Sequence, residues 1–118
     1  MAYGPVLVVD DEPETVAFLL ELLEAEGYRV VTAKDGFDGL GVLLMEEPRV
    51  VVLDLDMPIV DGVNFAKTAQ SYGVTPSIVM ITGYDEAPQW ARLMGAKAYL
   101  KKPFDIPELL AVIQEAYN

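Results

Sequence analysis

The sequence predicts a doubly wound α/β sandwich built on a parallel sheet, and three observations predict it. Strand-like and helix-like segments alternate five times along the 118 residues. Three of the strand-like segments, PVLVVD (5–10), RVVVLD (49–54) and PSIVMIT (76–82), are nearly continuous apolar runs rich in Val and Ile, as expected of strands covered on both faces. The connections are short, so right-handed crossovers return each helix to the sheet and place a ligand site outside the carboxyl ends of the strands.

The elements follow in order. After the first strand comes TVAFLLELLEAEG, a helical pattern with Pro13 early in it and Gly27 as its stop. YRVVTA (28–33) is strand-like but more polar, which suits a place nearer the sheet edge, and GFDGLGVLLMEE behind it is helical. RVVVLD leads to VNFAKTAQSYG, and PSIVMIT leads to a short EAPQWARLMG. KAYLK (97–101) is a second edge-type strand. The last helix begins after Asp105, where Asp105 and Glu108 have capping-box spacing and Pro107 sits in the first turn; Ile106, Leu110, Ile113 and Tyr117 recur on one face. No repeat, linker or low-complexity segment interrupts this pattern, so residues 1–118 are read as one domain, and a 53% hydrophobic composition suffices for a core without staples.

Composition excludes several chemistries. There is no cysteine and no histidine, so disulfides, thiolate metal sites and imidazole catalysis are all absent. A net charge of −11 disfavours the phosphate backbone of nucleic acid as a partner. No basic-then-apolar leader precedes the first strand, and no apolar run approaches the ~20 residues of a membrane span, so a cytoplasmic protein without membrane contact is expected.

Carboxylates, hydroxyls, lysines or a bound ion must then do the work, and the residues ending each strand supply them. These are Asp10 with Asp11 and Glu12, Asp54, Thr82 with Gly83, and Lys102 just before Pro103. Singly, each has an ordinary explanation as a helix cap, a strand end or a solvated charge. Together they do not. The sheet brings Asp10, Asp11 and Asp54 to one crevice, where like charges ~4 Å apart repel by about 4 kcal/mol per pair at an effective dielectric near 20. Either one carboxyl stays protonated or a cation sits among them, and oxygen ligands without histidine or cysteine favour Mg²⁺ over Ca²⁺. Three carboxylates, one Mg²⁺ and the Lys102 ammonium sum to zero charge, so such a pocket accepts a phosphoryl group. The acidic DDEPE turn lacks the glycines and hydroxyls of a nucleotide-phosphate loop.

VLVVDDE, VVLDLDMPIVDG, VMITGY and AYLKKPF, in that order and spacing, resemble the receiver domains of two-component response regulators along essentially the whole chain. The resemblance implies a flavodoxin-like (βα)5 fold with sheet order 2-1-3-4-5. It makes Asp54 the phosphoacceptor for a sensor histidine kinase or phosphotransfer protein, with Asp11 and Asp54 binding Mg²⁺ directly, Asp10 helping through water, and Asp56 offering a backbone carbonyl. Thr82 and Lys102 would hold phosphoryl oxygens, Lys102 preceding a cis bond to Pro103, and the protein would catalyse only its own modification. Tyr99 falls at the switch-aromatic position, although a strand tyrosine half-covering the sheet edge would look the same. The fourth helix, fifth strand and fifth helix would form the output face for a downstream target or, on phosphorylation, a homodimer.

Two departures and two alternatives accompany this reading. The interval from Thr82 to Gly95 is short and contains Pro88, so a shortened or displaced fourth helix is expected, in which Trp90 covers the core or anchors a partner. Lys101 beside Lys102 is an ambiguity that adjacency to Pro103 settles in favour of Lys102. The DLD of Asp54 and Asp56 also resembles the Asp-x-Asp of haloacid-dehalogenase-type phosphatases, but there the motif ends the first strand of a much longer chain. An adaptor that kept the fold without the switch would be expected to lack the acceptor, the threonine or the lysine.

Overall fold

The computed structural model describes residues 4–55 and 59–117, the side chains of 59–61 excepted. Five strands and five helices alternate: β1 (Val6–Val9), α1 (Pro13–Ala25), β2 (Val30–Ala33), α2 (Gly36–Glu46), β3 (Val50–Asp54), α3 (Ile59–Ser71), β4 (Ser77–Thr82), α4 (Ala87–Met94), β5 (Ala98–Lys101) and α5 (Ile106–Tyr117). All strand pairs are parallel and the order is β2-β1-β3-β4-β5, as the resemblance implied. The three apolar strands hold the centre and the two more polar ones the edges.

Alternation along the central strands divides the core in two, because successive side chains point to opposite faces of a sheet. Leu7, Val9, Val51, Leu53, Ile78 and Met80 pack with Leu43, Phe65, Ala91 and Met94 under α2, α3 and α4. Val6, Val8, Val50, Val52, Val79 and Ile81 pack with Leu19, Leu23, Leu109 and Ile113 under α1 and α5. The sheet is thereby clamped from both sides, and its C-terminal edge is held rigid.

Helix ends follow local chemistry. Pro13 opens α1, Gly27 follows it at φ 93°, and Asp35 caps α2 by accepting a hydrogen bond from the Asp38 N–H at 2.8 Å. The capping box of α5 forms: the Glu108 N–H donates to Asp105 Oδ1 at 2.9 Å, and the Asp105 N–H donates to Glu108 Oε1 at 3.3 Å. Replacing Asp105 with Ala leaves a helix N–H without its acceptor, so a loss of about 1 kcal/mol is expected in urea unfolding, with the fold unchanged.

Two expectations need adjustment and a third holds. The buried stripe of α5 is Leu109, Ile113 and Ala116, while Ile106 is exposed and Leu110 and Tyr117 flank the core. Spacings of i, i+4 and i+7 suit both sets, and the stripe facing β3 and β4 is the one that is buried. Helix α3 starts at Ile59, ahead of the predicted VNFAKTAQSYG, and takes in Gly62, where a Cβ would lie 2.7 Å from Leu55 Cδ2. The fourth helix is short, as expected: it has eight residues, with Pro88 in its first turn and Gly95 after it in the left-handed conformation at φ 66°.

Candidate functional site

Parallel register carries the chemistry to one edge. Asp54 is the last residue of β3 and Thr82 the last of β4, Asp10 follows β1, and Lys102 follows β5. Pairing of Val9 with Leu53, Asp54 with Ile81 and Thr82 with Lys101 keeps the four strand ends level. Beyond the ladders, the Leu55 N–H donates to the Ile81 carbonyl and the Lys102 N–H to the Thr82 carbonyl, both at 2.8 Å. The side chains therefore emerge from backbone that is already hydrogen-bonded.

Lys102 Nζ donates to Asp54 Oδ2 at 3.0 Å, with the Asp54 side chain almost fully enclosed and that of Lys102 partly exposed. The peptide bond from Lys102 to Pro103 is cis, as the resemblance implied. Lys101 points away to an exposed ion pair with Asp85, so the structure separates the two lysines as adjacency to proline suggested. A narrow cavity of about 40 Å³ lies against Asp10, Asp54 and Lys102, walled by Phe18, Leu19 and Phe104.

Asp10 is the strained member of the group. Its Oδ1 accepts from the Glu12 N–H at 2.9 Å, which fixes the turn into α1, but Oδ2 is buried without a hydrogen-bond partner among the described residues. Burial above all, and then the neighbouring Asp54, raise its carboxyl from an ordinary 3.8 to about 7, against the lowering by the Glu12 N–H and the Lys102 ammonium. An orphaned, desolvated carboxylate oxygen beside a second carboxylate is the arrangement a hard cation relieves, and the donors present are oxygens only. Asp10 and Asp54 therefore fit Mg²⁺ by this test. Asp11 is exposed at the rim, lining a depression of about 390 Å³ with Asp10, Thr32 and Lys34. Among the described residues no three acids converge closely enough to form a ready-made metal cluster, so the predicted trio is a buried pair with a third acid at the mouth. Asp56 lies outside the described residues.

Thr82 is fully buried, and its Oγ1 accepts from the Tyr84 N–H at 3.0 Å. That bond ties the strand end to the start of the β4–α4 loop, a link that the order of residues gives no sign of. Tyr99, paired in register with Met80, is 42% exposed, which is the outward position of a ring at the sheet edge. Trp90 is partly buried and packs against the core under α2, α3 and α4. Phe18 and Phe104, the aromatic walls of the cavity, were missed; for Phe104 the signal was its place directly after Lys102 and Pro103.

A parallel α/β domain with strand order 2-1-3-4-5 and a buried aspartate pair, a lysine and a threonine level at the C-terminal edge of its sheet is of the receiver-domain class. Residues 6–114 match the family model of the response regulator receiver domain, and the chain belongs to that family. It is 33% identical over 112 residues to protein PilH of Pseudomonas aeruginosa, covering 92% of this chain and 93% of that one. It is 36% identical over 116 residues to the transcriptional regulatory protein PdtaR of Mycobacterium tuberculosis, covering 96% of this chain and 56% of that one. It is also 37% identical over 110 residues to the response regulator ArlR of Staphylococcus aureus, covering 92% of this chain and 50% of that one. The chain thus spans nearly all of one relative and about half of the other two. Among solved structures, a signal receiver domain of a response regulator from Bermanella marisrubri superposes with a TM-score of 0.89 at 34% identity, over 99% of this chain and all of that one. The chemotaxis protein CheY4 of Vibrio cholerae gives 0.87 at 30%, over 98% of this chain and 99% of that one. Among the described residues, no helix is long and apolar enough to cross a membrane.

Proposed function

We propose that this receiver domain is a phosphorylatable switch in which Asp54 accepts a phosphoryl group from a partner histidine kinase or phosphotransfer protein. The observation that carries the reading is the enclosed Asp54 carboxylate, hydrogen-bonded to Lys102 beside the orphaned oxygen of Asp10. An Asp54 oxygen forms the new bond to phosphorus while the donor's bond to phosphorus breaks, and the leaving group takes the electron pair. Lys102 holds the acceptor in place and then faces the added phosphoryl oxygens. Mg²⁺ held by Asp10 and Asp54, with Asp11 at the mouth, would neutralise the charge that accumulates as the group is transferred. The Thr82 hydroxyl gains an acceptor that exists only after transfer, and this difference between states is what biases the β4–α4 loop and Tyr99. Output then passes to a downstream target through the face of α4, β5 and α5, or to a second phosphorylated copy. The domain acts in the cytoplasm without touching nucleic acid, and it turns over no other substrate.

The test is incubation with a small acyl phosphate, with Mg²⁺ or with EDTA, followed by intact mass. One added phosphoryl group in Mg²⁺ and almost none in EDTA is expected. Rapid multiple turnover of phosphate esters would instead mark a phosphatase, and no adduct with any donor would mark an adaptor. The two lysines provide a second check: Lys102→Ala is expected to slow labelling at least tenfold, whereas Lys101→Ala, which removes only an exposed ion pair, leaves it within about twofold.

A further inference from the structure

The apolar surface beside α4 is not explained by phosphoryl transfer. Tyr84, Glu86, Gln89, Trp90 and Leu93 line an open groove of about 540 Å³. Leu93 is 53% exposed and Tyr84 39% exposed, so large apolar groups meet water here. Glu86, Trp90 and Leu93 follow the i, i+4, i+7 spacing of one helix face, about two turns long, beside the buried face of Ala87, Ala91 and Met94. No residue of β5 or α5 lines the groove, and Trp90 packs toward the core under α2, α3 and α4. The groove is therefore distinct from the face of α4, β5 and α5.

Two features define what fits it. An apolar strip two helical turns long, walled by aromatic and leucine side chains, suits the apolar face of a short amphipathic helix. Charge selects the flanks of that helix. Glu86 stands in the groove, Asp85 beside it is already paired with Lys101, and the whole chain carries −11, so a cationic segment is favoured there over a second copy of this chain. The groove is also joined to the site, because Tyr84, one of its walls, donates its N–H to Thr82 Oγ1. A fully buried Thr82 cannot shift toward Asp54 without drawing Tyr84 with it or releasing it.

We infer that this groove docks a short, cationic amphipathic helix of a partner protein, and that docking is coupled to the state of Asp54 through the Thr82–Tyr84 hydrogen bond. The coupling rests on the phosphorylation reading above; the docking does not. By linkage, whichever state of Asp54 favours the helix is itself favoured by the helix.

Trp90 is the only tryptophan, so its emission reports the groove directly. The probe is a synthetic 14-residue helix with leucines on one face and lysines elsewhere, titrated into the whole chain without any phosphodonor. Saturable change in Trp90 emission is expected, weakened at least tenfold by Leu93→Ala and unaffected by Phe37→Ser, which alters an exposed apolar side chain on α2. Equal affinity for Leu93→Ala and the unmodified chain would show charge attraction alone and overturn the docking site. A concentration-dependent change in Trp90 emission without peptide would assign the groove to a second copy and overturn it equally. Repeating the titration with Mg²⁺ and beryllofluoride is expected to change affinity at least fivefold, and unchanged affinity overturns the coupling. Whether beryllofluoride itself shifts the Asp54 and Thr82 amides, with no peptide present, separates failure of the coupling from failure of the phosphorylation reading.

Discussion

Asp54→Asn is expected to abolish phosphoryl labelling, with a loss of at least a hundredfold, while leaving the fold intact. The substitution keeps shape and enclosure but replaces the nucleophilic carboxylate by an amide. Asp10 does not take over, because its Oδ1 is engaged by the Glu12 N–H and burial raises its carboxyl to about 7. Asp11 sits at the exposed rim, away from Lys102. Mass spectrometry of the unmodified protein should place the adduct on the peptide containing Asp54, and labelling that survives Asp54→Asn unchanged rules the mechanism out. The variant also retains a hydrogen-bond acceptor for Lys102, so circular dichroism and the urea midpoint should change little.

The second large effect is on stability, and it comes from Asp10. Its carboxyl titrates near 3.8 when the chain is unfolded and near 7 in the folded protein. Between those values the folded state holds a proton that the unfolded state has released. The contribution of Asp10 to metal-free stability is therefore full below about pH 4, falls as pH rises towards 7, and levels off above it. The shift corresponds to about 4 kcal/mol lost by pH 8. Asp10→Asn removes the titrating group, so in EDTA at pH 8 the variant should be more stable than the parent by about that amount, with a flatter dependence on pH. Added Mg²⁺ should raise the urea midpoint of the parent protein and leave that of the variant almost unmoved, since a ligand stabilises only the state that binds it. A parent whose EDTA stability depends on pH between 4 and 8 in the same way as that of Asp10→Asn would show that Asp10 is not held protonated by its surroundings.

Fold class, strand assignment and the level of the site could be read from the sequence because each rests on a local pattern. Short continuous apolar runs rich in Val and Ile, alternating with helical patterns, are expected of central strands in a parallel sheet, and a residue that ends such a run arrives at the sheet edge. Asp54, Thr82 and Lys102 were found in that way, and the Asp105 capping box was visible as a spacing. Sheet order came from the resemblance, since no local pattern says which strand lies beside which. Other features were hidden for physical reasons. Gly62 gives no sign in the sequence of a packing role, yet a Cβ there would lie 2.7 Å from Leu55 Cδ2. The stripe on α5 could be drawn through Ile106 or through Leu109, and only the position of the helix over the sheet selects the second. That Asp10 leaves one oxygen unpaired while Asp11 stands at the rim depends on the turn geometry after β1, not on the acids themselves. The bond from Tyr84 to Thr82 likewise depends on how the chain leaves β4.

The central claim is that occupation of Asp54 by a phosphoryl-like group moves Thr82 and the loop behind it. Two-dimensional amide spectra, recorded with Mg²⁺ alone and then with Mg²⁺ and beryllofluoride, test it most directly. The account predicts large shifts at Asp54 and Leu55, at Thr82 through Tyr84, and at Tyr99 and Lys102, with the N-terminal ends of the strands nearly unchanged. Shifts confined to Asp10, Asp11 and Asp54, with Thr82 and Tyr84 where they were, would contradict it.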